Sequence, residues 1–291
     1  MSSALFGRLS TRLEAARNSD GGFGPRPDLP SEPEPTALAT LALDDADGRA
    51  WLASHQRPDG SLALVIGDKV NPPDDSVNDS ATSLAALALP AGAGRERALD
   101  HVVAHQAIKL TSSSDVVPLD PAYRGWSWTP FTFGWIEPTS RNLLALQILR
   151  PTATAEITDA VNLLADRSCV GGGWNYGNRE VWDKELEPYA QTTAIALIGL
   201  QGAGDPKVVQ DGYAVLRRLW PVEDGGLSLG LSLIALRLEP EPPDRGDVEL
   251  ANLEAALGIS FTTTGFLDDT VALAWATLAT GDDIDVIKVP R

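Results

Sequence analysis

The sequence of 291 residues is poor in cysteine, in basic residues and in long apolar runs, and each scarcity excludes a class of protein. The single cysteine, Cys169, rules out an intramolecular disulfide and favours a reducing compartment. No stretch is apolar for long enough to span a bilayer. The N-terminal residues lack the basic, apolar and small-residue segments of a signal peptide, so we expect a cytoplasmic protein.

Basic residues are the second scarcity: Lys and Arg number only 23 against 40 Asp and Glu, which gives a formal net charge of −17. A nucleic-acid-binding protein usually carries a basic patch, and the sequence shows none, so we do not expect nucleic acid as a partner. The same charge opposes attraction to an anionic membrane. The acidity is typical of a protein kept in solution by its net charge.

What the sequence does contain is one helix–loop–helix pattern repeated six times, in units of roughly 45–50 residues. The clearest copy runs from Cys169 to Gln201. A glycine run favours a sharp exit from a helix, and Trp174 after it is large enough to anchor the loop by burial. Glu187 and Pro188 then suit the first turn of a second helix, which is apolar on every side.

The two helices of each unit differ in a way that predicts the architecture. First helices are amphipathic, whereas second helices are almost wholly apolar, so the second helices should form an inner ring covered by the first. An open solenoid needs polar caps on its end repeats, and the end units here look ordinary. The sequence therefore predicts an all-α protein, one domain over residues 1–291, built as an (α/α)6 toroid of six helical hairpins.

Three segments resemble a known family. QRPDGSLAL (Gln56–Leu64), CVGGGWNYG (169–177) and QTTAIALIGL (Gln191–Leu200) are similar to the repeats of squalene–hopene cyclases, protein prenyltransferase β subunits and related α/α toroids. As a repeat pattern the resemblance covers nearly the whole chain. It implies a single toroid with an apolar central cavity, an isoprenoid or other apolar ligand, and no cofactor.

Asp268-Asp269-Thr270 is the sharpest candidate for chemistry. It resembles the second half of the Asp-x-Asp-Asp-Thr motif of class II terpene cyclases, which implies that Asp268 protonates the substrate and Asp269 supports it. Phe266 stands where the first Asp of that motif belongs. Oxidosqualene cyclases also lack this first Asp. A proton-donating carboxylic acid needs a raised pKa or an activated proton, and paired carboxylates beside an apolar cavity supply that.

The alternative interpretation of these aspartates is structural. An Asp directly before an inner helix caps its free N–H groups. Acids occupy the corresponding place in four other units, and this repetition favours capping: Glu34, Asp79, Glu137 and Glu187.

Two aromatic-rich loops supply candidate substrate contacts. Aromatic rings stabilise carbocations by about 1–2 kcal/mol each when desolvated. Alternatively, they pin long loops to the toroid, as repeat tryptophans do in the family that the chain resembles. The candidate substrate-binding residues are Trp126, Trp128, Phe133, Trp135, Trp174, Tyr176 and Trp182, together with Glu137 and Glu187.

We expect no metal site. In protein prenyltransferases Asp, Cys and His hold zinc; here the resemblance places Thr192 at the His position and Arg167 at the Asp position, which leaves Cys169 alone. His101 and His105 are one helical turn apart but lack an evident third ligand. Three acidic clusters are better explained as solvated turns than as magnesium sites: Asp44-Asp45-x-Asp47, Asp74-Asp75 and Asp282-Asp283-x-Asp285.

Two functions therefore remain open from the sequence. The first is a terpene-cyclase-like isomerase that protonates and cyclises an isoprenoid in a central cavity, with Asp268 as the acid. The second is a non-catalytic toroid that binds an apolar ligand or a protein partner. The direction in which Asp268 points distinguishes them: an enclosed apolar cavity favours catalysis, and backbone N–H groups favour capping.

Overall fold

The computed structural model describes residues 4–63, 77–113, 116–244, 246–282 and 284–290. Within these ranges the chain forms twelve α-helices and one short β-hairpin, so the all-α prediction is confirmed. The hairpin pairs β1 (Glu180–Val181) with β2 (Lys184–Glu185) in antiparallel register.

The even-numbered helices are the apolar ones and form the inner layer. They pack in cyclic order, α2 on α4 and so on to α12, which packs back on α2 and closes the ring. Nearly all of their residues are buried, as their uniformly apolar sequences require. Their bounds are α2 Pro33–Leu43, α4 Asp79–Ala88, α6 Ile136–Leu149, α8 Ala190–Gly199, α10 Gly226–Arg237 and α12 Thr270–Thr280.

The odd-numbered helices cover this ring from outside. α3 packs on α2, α5 on α4, α7 on α6, α9 on α8, α11 on α10 and α1 on α12. Each inner helix from α2 to α10 is followed by an outer helix that runs antiparallel to it, so all inner helices begin on the same side of the ring. Their bounds are α1 Ala4–Glu14, α3 Ala46–His55, α5 Ala93–Ala104, α7 Thr154–Asp166, α9 Pro206–Leu219 and α11 Gly246–Thr264.

One hydrogen bond recurs in four units and ties each loop to the inner helix after it. A buried apolar residue that follows the loop glycine donates its backbone N–H to the hydroxyl of a threonine, the fourth residue of that helix. A buried hydrogen bond of this kind is worth about 1 kcal/mol. The pairs are Phe23 with Thr36 (2.9 Å), Leu62 with Thr82 (3.0 Å), Trp126 with Thr139 (3.0 Å) and Trp174 with Thr193 (3.0 Å).

One helix boundary differs from the sequence prediction. Glu187 and Pro188 do not open α8, because they lie in the loop and the helix begins at Ala190. At the end of α11, which continues to Thr264, three successive threonine hydroxyls bond carbonyls one turn earlier. Among the helices in the described ranges, none combines the length and the apolar character needed to cross a bilayer.

Candidate functional site

A single arginine shows which residues face the interior of the ring. Arg141 of α6 donates from Nη1 to Glu34 Oε1 of α2 at 2.6 Å and to Ser80 Oγ of α4 at 3.1 Å. Its Nη2 pairs with Glu137, one turn earlier on α6. Because α4 separates α6 from α2 in the ring, the guanidinium must lie across the interior.

Glu34, Ser80 and Glu137 are each the second residue of their inner helix, so the second residues line the entrance on the side where these helices begin. We call this entrance the mouth. Five of its six residues are partly exposed, and Ser80 is buried. Its acidic and polar half comes from α2, α4 and α6, whereas α10 and α12 contribute aliphatic side chains. The six residues are Glu34, Ser80, Glu137, Gln191, Leu227 and Val271.

The interior is closed one turn below the mouth. Arg141 is the sixth residue of α6, and residues four apart on a helix share one face, so the sixth residues form the next layer. All six are at most 2% exposed, and the large side chains of Arg141 and Trp275 help to fill the layer. The apolar cavity implied by the resemblance is therefore not open at this level. The layer, called the floor below, consists of Leu38, Leu84, Arg141, Ile195, Leu231 and Trp275.

The electrostatics of the mouth single out Glu137. Burial raises the pKa of Glu137, the charge of Arg141 opposes the change, and the charge of Glu34 adds to it. Burial also raises the pKa of Glu32, again with a contribution from Glu34. Although burial acts to lower the pKa of Arg141, the two carboxylates raise it. The mouth therefore holds a permanently charged guanidinium and a carboxyl group that retains its proton more readily than an ordinary glutamate.

An aromatic wall stands on the α6 and α8 side of the mouth, and it consists of Trp128, Phe133, Trp135, Tyr176 and Tyr189. Trp135 and Tyr189 directly precede α6 and α8. The ring centroids of Phe133 and Trp135 are 4.6 Å apart, and those of Tyr176 and Tyr189 are 5.5 Å apart. Trp128 lies 6.0 Å from the guanidinium carbon of Arg141, which connects the wall to the charged cluster.

The two loops that carry the wall also expose large apolar side chains. Phe131 is 80% exposed and Trp182 is 70% exposed. Trp182 and Asp183 form the two-residue turn of the β-hairpin and have φ of 55° and 57°, as a type I′ turn requires. Ile136 N donates to Tyr176 O at 3.1 Å, so the two loops are joined and present one surface.

Trp126 and Trp174 do not belong to this surface, in contrast to the sequence prediction that they bind substrate. Both are fully buried. Trp126 Nε1 donates to Val102 O at 2.9 Å and Trp174 Nε1 to Leu164 O at 2.7 Å, so each ring anchors its loop to an outer helix. Glu187 is exposed and lies in the loop before α8, outside the buried cluster around Arg141.

The Asp268-Asp269 pair lies outside the mouth cluster as well. Asp269 caps α12, because its Oδ1 accepts a hydrogen bond from Ala272 N at 2.9 Å. Asp268 is about half exposed and forms an ion pair with Arg12 of the outer helix α1. Four successive residues from Gly265 to Asp268 have φ between 51° and 60°, a left-handed turn that costs roughly 1–2 kcal/mol for each residue other than glycine. Asp268 thus faces neither an enclosed cavity nor backbone N–H groups.

The other acidic and metal-ligating candidates have structural partners. Asp79 accepts a hydrogen bond from His101 Nε2 at 3.0 Å. Asp45 caps α3, and Asp44 pairs with Arg49. In the ranges that the structure describes, no three His, Cys, Asp or Glu side chains converge as metal ligands. Asp74, Asp75 and Asp283 lie outside the described residues.

Arg141 is the functional candidate that the sequence analysis missed. The signal was a charged residue four positions after Glu137, inside an otherwise apolar helix. A charge there must be paired because burying an unpaired one is prohibitively costly. Its second partner, Glu34, is 107 residues away, so the fold was needed to find it.

Comparisons with known proteins support the fold. No protein-family model and no curated protein matches the sequence. The structure is similar to type II terpene cyclase MstE from Scytonema, with a TM-score of 0.57 and 14% identity, over 94% of this chain and 98% of that one. It also matches ent-copalyl diphosphate synthase from Streptomyces platensis, with a TM-score of 0.48 and 17% identity.

The second match covers 95% of this chain but only 46% of the synthase, so the chain spans about half the length of that protein. At 14% identity the likeness to MstE is a likeness of fold, and at that level it confirms the prediction of a terpenoid-cyclase-like toroid.

Proposed function

We propose that the protein binds an isoprenoid or a comparable apolar ligand at the mouth, against the aromatic wall. The observation that carries this proposal is the exposure of aromatic side chains on the two joined loops before α6 and α8. Exposed apolar surface gathered in one place is typical of a binding site. An isoprenoid is the ligand class suggested by the type II terpene cyclase of the same fold.

The exposed rings supply enough binding energy for such a ligand. Tyr176, Trp182 and Tyr189 are each at least half exposed. With Phe131 they offer roughly 400 Å² of apolar surface, at about 100 Å² for each ring. At about 25 cal/mol per Å², burying it contributes roughly 10 kcal/mol before the entropy of association is subtracted. Association costs at least about 4 kcal/mol, which leaves at most about 6 kcal/mol, an affinity of tens of micromolar or weaker.

A binding measurement tests this proposal directly. Farnesol and geranylgeraniol are titrated into the purified protein by isothermal calorimetry. We expect a double variant, Trp182→Ala with Tyr189→Ala, to weaken binding at least tenfold, since about 5 kcal/mol of apolar burial is removed. The matched control is Val222→Ala, because Val222 is also an exposed apolar side chain but follows outer helix α9. Equal affinities for the double variant, the control and the wild type would contradict the proposal.

A second candidate function is protonation-initiated cyclisation or isomerisation, and the raised pKa of Glu137 favours it. Glu137 would transfer its proton to one carbon of an alkene, whose π electrons form the new C–H bond and leave a carbocation. Arg141 would stabilise the carboxylate that remains, and the aromatic wall would stabilise the cation. Loss of a proton from the cyclised cation completes the reaction, so substrate and product are isomers and no redox cofactor is required.

Asp268 is the alternative acid under this second candidate. Its support is the motif resemblance and the left-handed turn that holds it, since backbone strain often accompanies function. To act on a substrate it must first leave its ion pair with Arg12. Glu137 is also ion-paired, with Arg141, but it already lies in the mouth beside the wall.

Turnover assays separate these possibilities. The protein is incubated with squalene, oxidosqualene and the farnesyl and geranylgeranyl diphosphates, and extracts are analysed by gas chromatography–mass spectrometry. A product lost in Glu137→Gln and kept in Asp268→Asn assigns Glu137 as the acid, and the opposite pattern assigns Asp268. Circular dichroism must show that both variants fold. Ligand binding without any product supports a binding protein.

A further inference from the structure

The charges at the mouth are layered, with two carboxylates outside and the Arg141 guanidinium beneath them. Both terminal nitrogens of Arg141 are engaged: Nη1 bonds Glu34 Oε1 and Ser80 Oγ, and Nη2 pairs with Glu137. Among the described residues its Nε has no hydrogen-bond partner, and this atom is buried. The side chains of Glu34 and Glu137 are 24% and 12% exposed, against 2% for Arg141. A ligand that enters the mouth therefore meets carboxylates before it reaches the cation.

Two carboxyl groups report how the mouth treats negative charge. Burial raises the pKa of Glu137, and the charge of Glu34 adds to the rise although Arg141 opposes it. Burial also raises the pKa of Glu32, the residue directly before α2, again with a contribution from Glu34. A raised carboxyl pKa means that the surroundings disfavour the anionic form. The mouth is thus an unfavourable place for a further anion, even with a guanidinium present.

The β-hairpin that carries Trp182 adds to the excess of negative charge. Glu180 is paired directly with Glu185 across the hairpin, and like charges in opposite positions repel each other. Residues 179–187 hold two cations and four acids: Arg179 and Lys184, and Glu180, Asp183, Glu185 and Glu187. The exposed ring of Trp182 therefore belongs to a surface that is both apolar and acidic.

Two arginines of the loops that carry the wall are bonded to the backbone. Arg124 Nε donates to Ala107 O at 2.8 Å, and Arg167 Nη1 donates to Gly177 O at 3.0 Å. Proteins hold a phosphate group with arginine or lysine side chains or through a magnesium ion. Over the ranges that the structure covers, no three His, Cys, Asp or Glu side chains converge as ligands for such an ion. What the mouth offers beside the wall is apolar surface and carboxylates.

We propose that the mouth accepts uncharged isoprenoids and excludes prenyl diphosphates, and that Glu34 is a specificity-determining residue. This inference rests on the proposed function, since it names the class of isoprenoid that the same site binds. Trp128 of the wall lies 6.0 Å from the guanidinium carbon of Arg141. A ligand on the wall is therefore within one Debye length, about 8–10 Å, of the charged cluster. A hydroxyl group at the polar end of the ligand is tolerated there, whereas a diphosphate group is repelled.

Two ligands that share one hydrocarbon chain test this selectivity. Farnesol and farnesyl diphosphate are titrated into the full-length protein by calorimetry, with and without magnesium. We expect farnesol to bind at least tenfold more tightly. Relative to farnesol, the affinity for the diphosphate should rise as salt increases from about 0.02 to about 0.5 M, because screening weakens repulsion. Binding through cations of the chain would instead weaken with salt.

The outcomes separate this inference from the proposed function. Equal or tighter binding of the diphosphate, with or without magnesium, overturns the selectivity and leaves the proposed function intact. Binding of neither ligand overturns the proposed function and this inference with it.

The variant Glu34→Gln tests the role of Glu34, because glutamine keeps the shape of the side chain and removes its charge. One elementary charge acting on a diphosphate group of about three charges across roughly 10 Å of water corresponds to about a tenfold change in affinity. We therefore expect Glu34→Gln to tighten binding of farnesyl diphosphate about tenfold and to leave farnesol binding unchanged.

Glu241→Gln is the matched control, since it removes the same charge from an exposed position between α10 and α11 and should alter the binding of neither ligand. A merely structural role of Glu34 would weaken the binding of both ligands alike in Glu34→Gln. That result, or an unchanged affinity for the diphosphate, overturns the assignment of Glu34.

Discussion

Replacing Arg141 by methionine is the most informative single perturbation of this structure. Arg141 is 2% exposed and binds Glu34, Glu137 and Ser80 across the interior. Methionine keeps much of the side-chain length but leaves two carboxylates facing each other without a cation. Removing one partner of a buried ion pair costs about 3–5 kcal/mol. Because Glu34 is partly exposed to water, we expect the lower end, about 3 kcal/mol of unfolding free energy.

Urea unfolding followed by far-UV circular dichroism measures this loss, and the melting temperature should fall by about 5 °C. Arg150→Met is the matched control, since Arg150 also pairs with two carboxylates, Glu96 and Asp100, but these lie on the outer helix α5 with their side chains 58% and 70% exposed. A surface arrangement of that kind contributes about 1 kcal/mol or less. Equal losses in the two variants would refute the argument that the central cluster is a desolvated unit.

Three further predictions follow from single contacts. Burial raises the folded-state pKa of Glu137 above its ordinary value of 4.5, so the folded state binds the extra proton and the free energy of unfolding falls as pH rises from 4.5 through that folded pKa; Glu137→Gln should remove this slope in pH-dependent urea titrations. Trp174→Phe should lower the unfolding free energy by about 1–3 kcal/mol, because Leu164 O loses its buried donor, whereas Trp182→Phe should change it by less than 0.5 kcal/mol. Leu267→Gly should raise the melting temperature by relieving about 1 kcal/mol of left-handed strain at an exposed position, and a lower melting temperature would contradict the cost assigned to that turn.

The fold was largely predictable because two features recur in every unit. The second helix of a unit is apolar and must be buried on all sides, whereas the first helix is amphipathic and needs burial on one side only. An inner ring of second helices covered by an outer ring of first helices satisfies both requirements. The exact ends of the helices were harder to predict. Pro188 suits a first helical turn, yet α8 begins two residues later because Tyr189 N is bonded to Trp174 O. That tertiary bond is invisible in the local sequence.

The site was predicted only in part, and the tryptophans show why. Trp126, Trp174 and Trp182 all sit in glycine-bearing loops, and aromatic content alone cannot rank their exposure. The first two follow directly after a glycine whose missing side chain makes room for close packing, and both are buried. Trp182 occupies a hairpin turn and is exposed. The role of Asp268 was also ambiguous from the sequence, because its ion-pair partner Arg12 is 256 residues away.

The parallel orientation of the inner helices explains the distribution of charge over the two sides of the ring. Helix N-termini favour acids, and the mouth carries Glu34 and Glu137; helix C-termini favour cations, and Arg49, Arg95 and Arg237 donate to carbonyls at that side. The repetition of acids at inner-helix starts therefore has a sufficient electrostatic cause and is no evidence of catalysis. What distinguishes Glu137 is the combination of burial, a shared guanidinium and an adjacent aromatic wall, so any chemistry in the mouth should depend on this residue rather than on the repeated acid as such.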